Sequence, residues 1–343
     1  MKIVSFVNQK GGCGKTTSAV NLAWQLAERG NKVILIDLDP QAHATMYLGI
    51  NPNLSSADLF EEFIKNPSVD LNKFIHSRGD NFFVIGSSLG LSSMEQMLSS
   101  RSDKLEVLVQ ILNNISNKIF NYDYCIIDCP PNLGILTLNA LLASKYAIIP
   151  LGICELSLRG VNNLHSILGM LAEFKFKVPS PFYLITQLDM RYKFSEIFLK
   201  RVKETFDGRL LSTMIRTNIH LREAADAGKT IFEYRRDSRG AEDYRKLAEE
   251  IEKLTKDISW VQFLLKANNL KEVYVVGEFN DWQKSENYKL RKLTPNTWFI
   301  DLPLRKGEYR YKFVADDRWF NDPLNTTVED DAFGGKNSIL RVS

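Results

Sequence analysis

The 343-residue chain has only four cysteines, Cys13, Cys125, Cys129 and Cys154, and none of their spacings is that of a metal-ligand set. So few cysteines exclude a disulfide framework, and they read as reduced thiols of a cytosolic protein, each structural or incidental. No apolar run approaches the about 18 residues that cross a bilayer. The opening stretch Met1-Lys2-Ile3-Val4-Ser5-Phe6-Val7 is too short for a signal peptide and leads straight into glycines. A formal net charge of +3 is too small to draw nucleic acid by bulk attraction, so any such site must be a local patch. There is no Gly/Ser or proline linker, internal repeat or low-complexity tract. What remains, 44% hydrophobic and 25% charged residues, is ordinary for a folded chain and excludes large-scale disorder.

At roughly 150 residues per domain the length suits two domains, and composition changes near residue 258. Four of the five tryptophans (Trp260, Trp282, Trp298 and Trp319) lie beyond it. Before it, short Val/Ile/Leu runs alternate with amphipathic helical patterns. Strands are expected over 2–7, 33–37, 124–128, 146–150 and 182–186, with helices over 15–29 and 241–256. Apolar strands separated by helices imply an α/β domain (1–257) whose mainly parallel sheet is covered on both faces. After it, β-formers and turn residues predict strands over 272–277, 297–302, 308–314 and 338–342, a small all-β sandwich (258–343).

The densest motif is Lys10-Gly11-Gly12-Cys13-Gly14-Lys15-Thr16-Thr17, placed after the first strand and opening the first helix. Glycines let backbone wrap closely around phosphates, and N–H groups of the loop and helix start point at the anion. In such a loop Lys15 reaches the β- and γ-phosphates and the Thr16 hydroxyl sits on Mg²⁺. The spacing departs from the ordinary phosphate-binding loop, because Gln9 stands where its first glycine belongs and Lys10 follows. Two apolar strands end in acids: Val33-Ile34-Leu35-Ile36-Asp37-Leu38-Asp39-Pro40-Gln41 and Cys125-Ile126-Ile127-Asp128-Cys129-Pro130-Pro131. In open α/β sheets ligands bind beyond the carboxyl ends of strands, so these acids should converge on the phosphates.

Together these segments resemble the ParA/MinD family of deviant-Walker P-loop ATPases, and Asp-Pro-Gln after the second strand resembles the Soj-type ParA partition proteins most. The resemblance runs over about residues 1–257 and includes Met214-Ile215-Arg216-Thr217-Asn218-Ile219 and Leu221-Arg222-Glu223-Ala224. It implies ATP and Mg²⁺ as cofactors and an ATP-driven homodimer that hydrolysis releases. Lys10 would be the signature lysine reaching across that dimer, Asp39 would orient the attacking water, and Asp128 would hold Mg²⁺ through water. Arg216 and Asn218 would border the adenine. A stimulating protein resembling ParB is the family's partner, and slow, assembly-dependent turnover is the expected rate. With its first strand at the start, the chain is expected to lack the helix-turn-helix of larger plasmid ParA proteins.

Relatives of this kind bind DNA non-specifically, which would associate the protein with the nucleoid. Arg191 falls where the family carries a DNA-contacting arginine, with Lys193, Lys200 and Arg201 beside it. Such residues would contact phosphates, with steep salt dependence and no sequence reading. The alternative is a solvated helix face. Membrane attachment of the MinD type needs an amphipathic terminal helix, and the last helix leads instead into another domain, so no membrane partner is expected.

The tail carries Val273-Tyr274-Val275-Val276-Gly277-Glu278-Phe279-Asn280-Asp281-Trp282 and Tyr309-Arg310-Tyr311-Lys312-Phe313-Val314 followed by Ala315 to Pro323. These stretches resemble the glycogen-binding module of the AMP-activated protein kinase β subunit, over about residues 268–343. The resemblance makes Trp282 and Trp319 stacking platforms, Lys312 and Asn337 polar contacts, and Phe333 an apolar wedge for glycogen or another α-glucan. Tryptophans of a small sandwich also serve as core, and Trp298 and Trp260 are expected there. Two functions follow: a partition or positioning ATPase whose tail links it to a cargo, or a glucan-sensing ATPase switch without DNA binding. Metabolic P-loop enzymes such as amide ligases fit less well, since no substrate residues stand out.

Overall fold

The computed structural model describes residues 1–342 apart from 119, 120, 175, 207, 257, 295 and 332. Residues 1–164 with 175–251 form one compact unit, and 165–174 with 252–343 a second.

The first unit is built on eight strands: β1 (Lys2–Phe6), β2 (Val33–Asp37), β3 (His76–Ser77), β4 (Phe82–Ile85), β5 (Tyr124–Asp128), β6 (Tyr146–Gly152), β7 (Ser180–Leu188) and β8 (Leu210–Arg216). They lie in the order β3-β4-β2-β5-β1-β6-β7-β8. Every pairing is parallel except β3 with β4. Each residue of β2, β5 and β6 is buried. Because successive side chains point to opposite faces, burial throughout means that both faces are covered. The 14-residue helix Lys15–Glu28 packs Ala19, Val20, Leu22, Ala23 and Leu26 inward, an apolar stripe of helical period. The helix Arg239–Lys256, of which residues 239–251 belong to this unit, starts two residues ahead of the expected 241.

The second unit has two antiparallel sheets. One places β10 (Val273–Gly277), β13 (Gly307–Ala315), β16 (Lys336–Val342) and β15 (Val328–Asp330) side by side, with β14 (Arg318–Phe320) also on β13; the other runs β11 (Arg291–Thr294), β12 (Thr297–Arg305), β9 (Ile258–Lys266). One core joins them: Phe263 and Leu265 from β9 and Trp298, Leu302 and Leu304 from β12 meet Val273, Val275, Tyr311, Phe313 and Ala315 from the larger sheet. This is the expected sandwich. Residues Tyr311, Phe313 and Ala315 alternate inward, which turns Lys312 and Val314 to the outer face of β13. Trp298 is core, as expected, while Trp260 is only partly buried.

Candidate nucleotide site and glucan platform

The loop after β1 is shaped by two glycines. Gly12 and Gly14 take left-handed backbone at φ 70 and φ 85, a region costly for any residue with a Cβ. Gly14 is the cap of the following helix, so the backbone N–H groups of that first turn open toward the loop. The loop is pinned from neighbouring strands. Thr186 Oγ1 donates to the Cys13 carbonyl and Gln187 Nε2 to the Gly12 carbonyl, both at 2.8 Å. Asn8 joins β6 through Pro150 O at 2.7 Å and accepts from the Lys10 N–H at 3.0 Å. Lys15 is buried, its ammonium donating to Lys10 O at 3.3 Å. Thr16 and Thr17 are half-buried and line the same cavity as Gly11, Gly12, Gly14, Lys15, Asp39 and Gln41. Gly11, by contrast, has ordinary φ and no atom where a Cβ would project.

The strand order explains how the acids arrive. β5 lies between β2 and β1, and the parallel register sets Asp37 beside Asp128 and Asp128 beside Phe6, the residue that ends β1. Asp37 is fully buried and structural: its carboxylate accepts from the Thr45 N–H and hydroxyl at 2.9 and 2.7 Å and from the Asp39 N–H at 3.0 Å. Burial still pushes its carboxyl up to about 6 against those hydrogen bonds. Asp39 accepts from the Gln41 N–H at 3.0 Å, and its other oxygen lies 3.7 Å from His43 Nδ1. Asp128 is different. It is fully buried, and neither carboxylate oxygen has a hydrogen-bond partner of good geometry. Its carboxyl is held well above the usual carboxylate range, by burial first and by the Asp37 charge second, with the Thr16 hydroxyl and the Lys15 charge opposing.

A buried carboxylate whose oxygens lack well-formed hydrogen bonds calls for a cation. The donor set suits Mg²⁺, which takes few protein ligands and completes its shell with water and phosphate oxygens. Among the described residues no cluster of three or more His, Cys, Asp or Glu side chains forms a protein-only metal cage.

A second cavity adjoins the loop, lined by Gly14, Thr17, Thr186, Gln187, Arg216, Asn218 and Tyr244, with Ile215, Thr217 and Leu221. Arg216 is held rigidly there: its Nε and Nη2 donate to Asp243 and Nη2 also to Glu242 at 2.8 Å. Asn218 caps the helix Ile219–Asp226 through its side chain. Arg216 and Asn218 thus stand together, as the sequence suggested. Every expected nucleotide-site residue comes from the C-terminal end of β1, β2, β5 or β8, the turn after it, or the first turn of the helix Lys15–Glu28.

Sequence reasoning missed three contributors. Thr186 and Gln187 end β7 and clamp the loop; their position at a strand's carboxyl end was the available signal. Cys154, expected to be structural or incidental, lies with its Sγ 2.6 Å from Lys10 Nζ. Burial raises the Cys154 thiol, but hydrogen bonds from Lys10 and Ser157 outweigh that and leave it below the ordinary value.

Arg191 is exposed but bound to Asp189 by its Nε and Nη2. Lys193, Lys200 and Arg201 are exposed on the helix Lys193–Thr205, which buries Phe198 and Val202 and leaves Ile197 outward.

In the second unit four of the expected glucan residues, Trp282, Trp319, Lys312 and Asn337, share the outer face of the larger sheet. Trp319 is 51% exposed and pairs across from Val314, while Trp282 is half-buried against Tyr274, Val276 and Val314. Lys312 is in register with Val276; Asn337, half-buried, precedes Ser338, which pairs with Tyr311. Phe333 projects into solvent at 97% exposure.

Fold and site together define a P-loop nucleotide-binding α/β protein with an appended β-sandwich. The family model described as an AAA domain matches residues 1–177, and one described as the glycogen recognition site of AMP-activated protein kinase matches 261–343. The chromosome-partitioning ATPase Soj of Treponema pallidum is 36% identical over 251 residues, covering 73% of this chain and 96% of Soj. The chain belongs to the ParA/Soj family of partitioning ATPases. Among solved structures, cobyrinic acid a,c-diamide synthase of Mycobacterium smegmatis with bound ADP and magnesium is 27% identical with a TM-score of 0.61, over 72% of this chain and 92% of that one. The McdA–ATP complex of Cyanothece is 25% identical with a TM-score of 0.63, over 74% and 95%. No helix among the described residues is long and apolar enough to cross a membrane.

Proposed function

We propose that the protein is an ATP-hydrolysing switch that dimerises over ATP and Mg²⁺, binds DNA without sequence preference, and positions a cargo to which its α-glucan-binding tail connects it. The observation that carries the reading is the meeting of a clamped phosphate loop, the buried Lys15 and the buried Asp128, which lacks a hydrogen bond of good geometry, at the C-terminal ends of neighbouring central strands. Phosphoryl transfer is mainly positioning and charge neutralisation, which such a site supplies without a protein nucleophile. Gly11, Gly12, Cys13 and Gly14 cradle the phosphates with Lys15, Thr16 and Thr17. Thr16, Asp128 and Asp39 would hold Mg²⁺, and the cation would neutralise phosphate charge. Asp39 orients the hydrolytic water, and Arg216 and Asn218 border the base. Lys10 leaves Cys154 and reaches the phosphates of a second copy. Turnover is slow and rises with a ParB-like stimulating protein.

DNA contact falls to Arg191, Lys193, Lys200 and Arg201, which would place the dimer on the nucleoid; Arg191 must then exchange Asp189 for phosphate. Trp282 and Trp319 stack on glucose units, Lys312 and Asn337 bind hydroxyls, and Phe333 wedges alongside. The experiment is ATP-dependent dimerisation by light scattering, with duplex binding at increasing salt. Dimers lost in Lys10→Ala and Lys15→Ala, and salt-sensitive DNA binding lost in Arg191→Glu, support the proposal. Doubling of mass with ATP in both lysine variants would sink the dimer model. Dimers that bind no DNA would leave the glucan-sensing switch.

A further inference from the structure

We propose that Asp331 is the positioning residue of the glucan platform, holding Phe333 out for the sugar by locking its turn to Lys312. This rests on the glucan-binding reading above. Phe333 has almost no side-chain packing, so its direction is set by its backbone. β15 and β16 form a hairpin in which Asp330 pairs with Lys336, and the turn between them runs from Asp331 to Gly335. Asp331 is the hub of that turn. Its Oδ1 accepts from the N–H groups of Phe333 and Gly335, both at 2.8 Å, and its own N–H donates to Gly335 O at 2.9 Å. Its Oδ2 pairs with the Lys312 ammonium. The carboxylate is only 8% exposed and the lysine side chain 14%, so the pair is shielded where most surface ion pairs are not.

The turn is also built around that carboxylate sterically. A Cβ at position 335 would sit 2.8 Å from Asp331 Oδ2 and 3.4 Å from Lys312 Nζ, so a side chain there would break the lock. Gly334 takes φ 81, which lets the chain close. One carboxylate therefore ties the hairpin tip to the neighbouring strand β13, and so fixes the wedge relative to the Lys312 that the glucan would touch. A charged lysine left alone would be free to swing; paired with Asp331 it keeps two N–H groups for sugar hydroxyls in a set direction. Ordering such a turn before the ligand arrives removes a cost that binding would otherwise bear.

The test uses the intact chain, glycogen co-sedimentation and calorimetric titration with maltoheptaose, beside a Trp282→Ala/Trp319→Ala control. Wild type that binds neither probe overturns the glucan reading, and this inference falls with it. Given wild-type binding lost in the control, Asp331→Ala should bind about tenfold more weakly, the scale of freeing one or two side chains. Asp331→Asn keeps an oxygen for the two N–H groups and should recover part of the loss. In a Phe333→Ala background, Asp331→Ala should cost little more, which a purely structural residue would not show. Affinity unchanged or tightened in Asp331→Ala refutes the role. If that variant loses its thermal transition, Gly335→Ala is the arbiter: several-fold weaker binding in a folded protein supports the lock, and wild-type affinity overturns it.

Discussion

Asp128 offers the sharpest test of the site, because function and stability are expected to pull in opposite directions there. Its carboxylate is fully buried, has no hydrogen-bond partner of good geometry, and faces a second buried acid, Asp37. A buried polar group left without partners costs about 1–3 kcal/mol, and more when charged. The amide in Asp128→Asn is still polar but carries no charge, so the substitution removes only the extra cost of burying charge and should stabilise the nucleotide-free protein at neutral pH by about 1 kcal/mol or more. In a unit of this size that raises the thermal midpoint by about 2–4 °C per kcal/mol. The sign with pH follows from the raised native pKa. The native state holds its proton above pH 3.8 where the unfolded chain has lost it, so wild-type stability falls as pH rises from there toward the native value. The gain from Asp128→Asn should thus vanish near pH 4 and grow toward neutrality, by at most about 1.4 kcal/mol per pH unit. Adding Mg²⁺ and ADP should reverse the order, stabilising wild type more than the variant. Thermal unfolding of both proteins between pH 4 and 8, with and without Mg²⁺ and ADP, reads all of this. An Asp128→Asn protein that is less stable than wild type without nucleotide at pH 7.5 would refute the reasoning, since the aspartate would then have partners it needs.

Two further outcomes follow from the phosphate loop. Cys154 should be the fastest of the four thiols to react with iodoacetamide, because it is the one not fully buried and hydrogen bonds from Lys10 and Ser157 lower it; Lys10→Ala should slow it several-fold, and an unchanged rate in mass-spectrometric time courses would show that the lysine does not activate it. Gly14→Ala should destabilise the first unit by about 1–2 kcal/mol through its left-handed backbone alone, since the nearest atoms to a Cβ, on Thr186, are at an ordinary 3.7 Å; urea unfolding measures this, and a neutral result would mean that the loop relaxes.

Local sequence carried the element types and the motif. Runs such as Val33-Ile34-Leu35-Ile36 are what strands buried on both faces require, and a lysine–threonine step after glycines, placed after such a run, marks a helix start. Two antiparallel sheets sharing one core were likewise legible in alternating stretches such as Tyr311 to Ala315. Short pieces were not: β3 has two residues and β14 and β15 three each, too few for a period to show.

What the tertiary structure alone decided are the pairings between distant segments. Sequence placed Asp37 and Asp128 at strand ends, but the strand order and register made them neighbours and left one hydrogen-bonded to Thr45 and the other without a hydrogen bond of good geometry. Lys10 and Cys154 are 144 residues apart, and Lys312 lies on β13 while Asp331 lies in the turn between β15 and β16. Propensity and hydrophobic period are local properties that act within an element. Which side chains end up facing each other across a sheet depends on the order in which strands pack, and that is a property of the whole core.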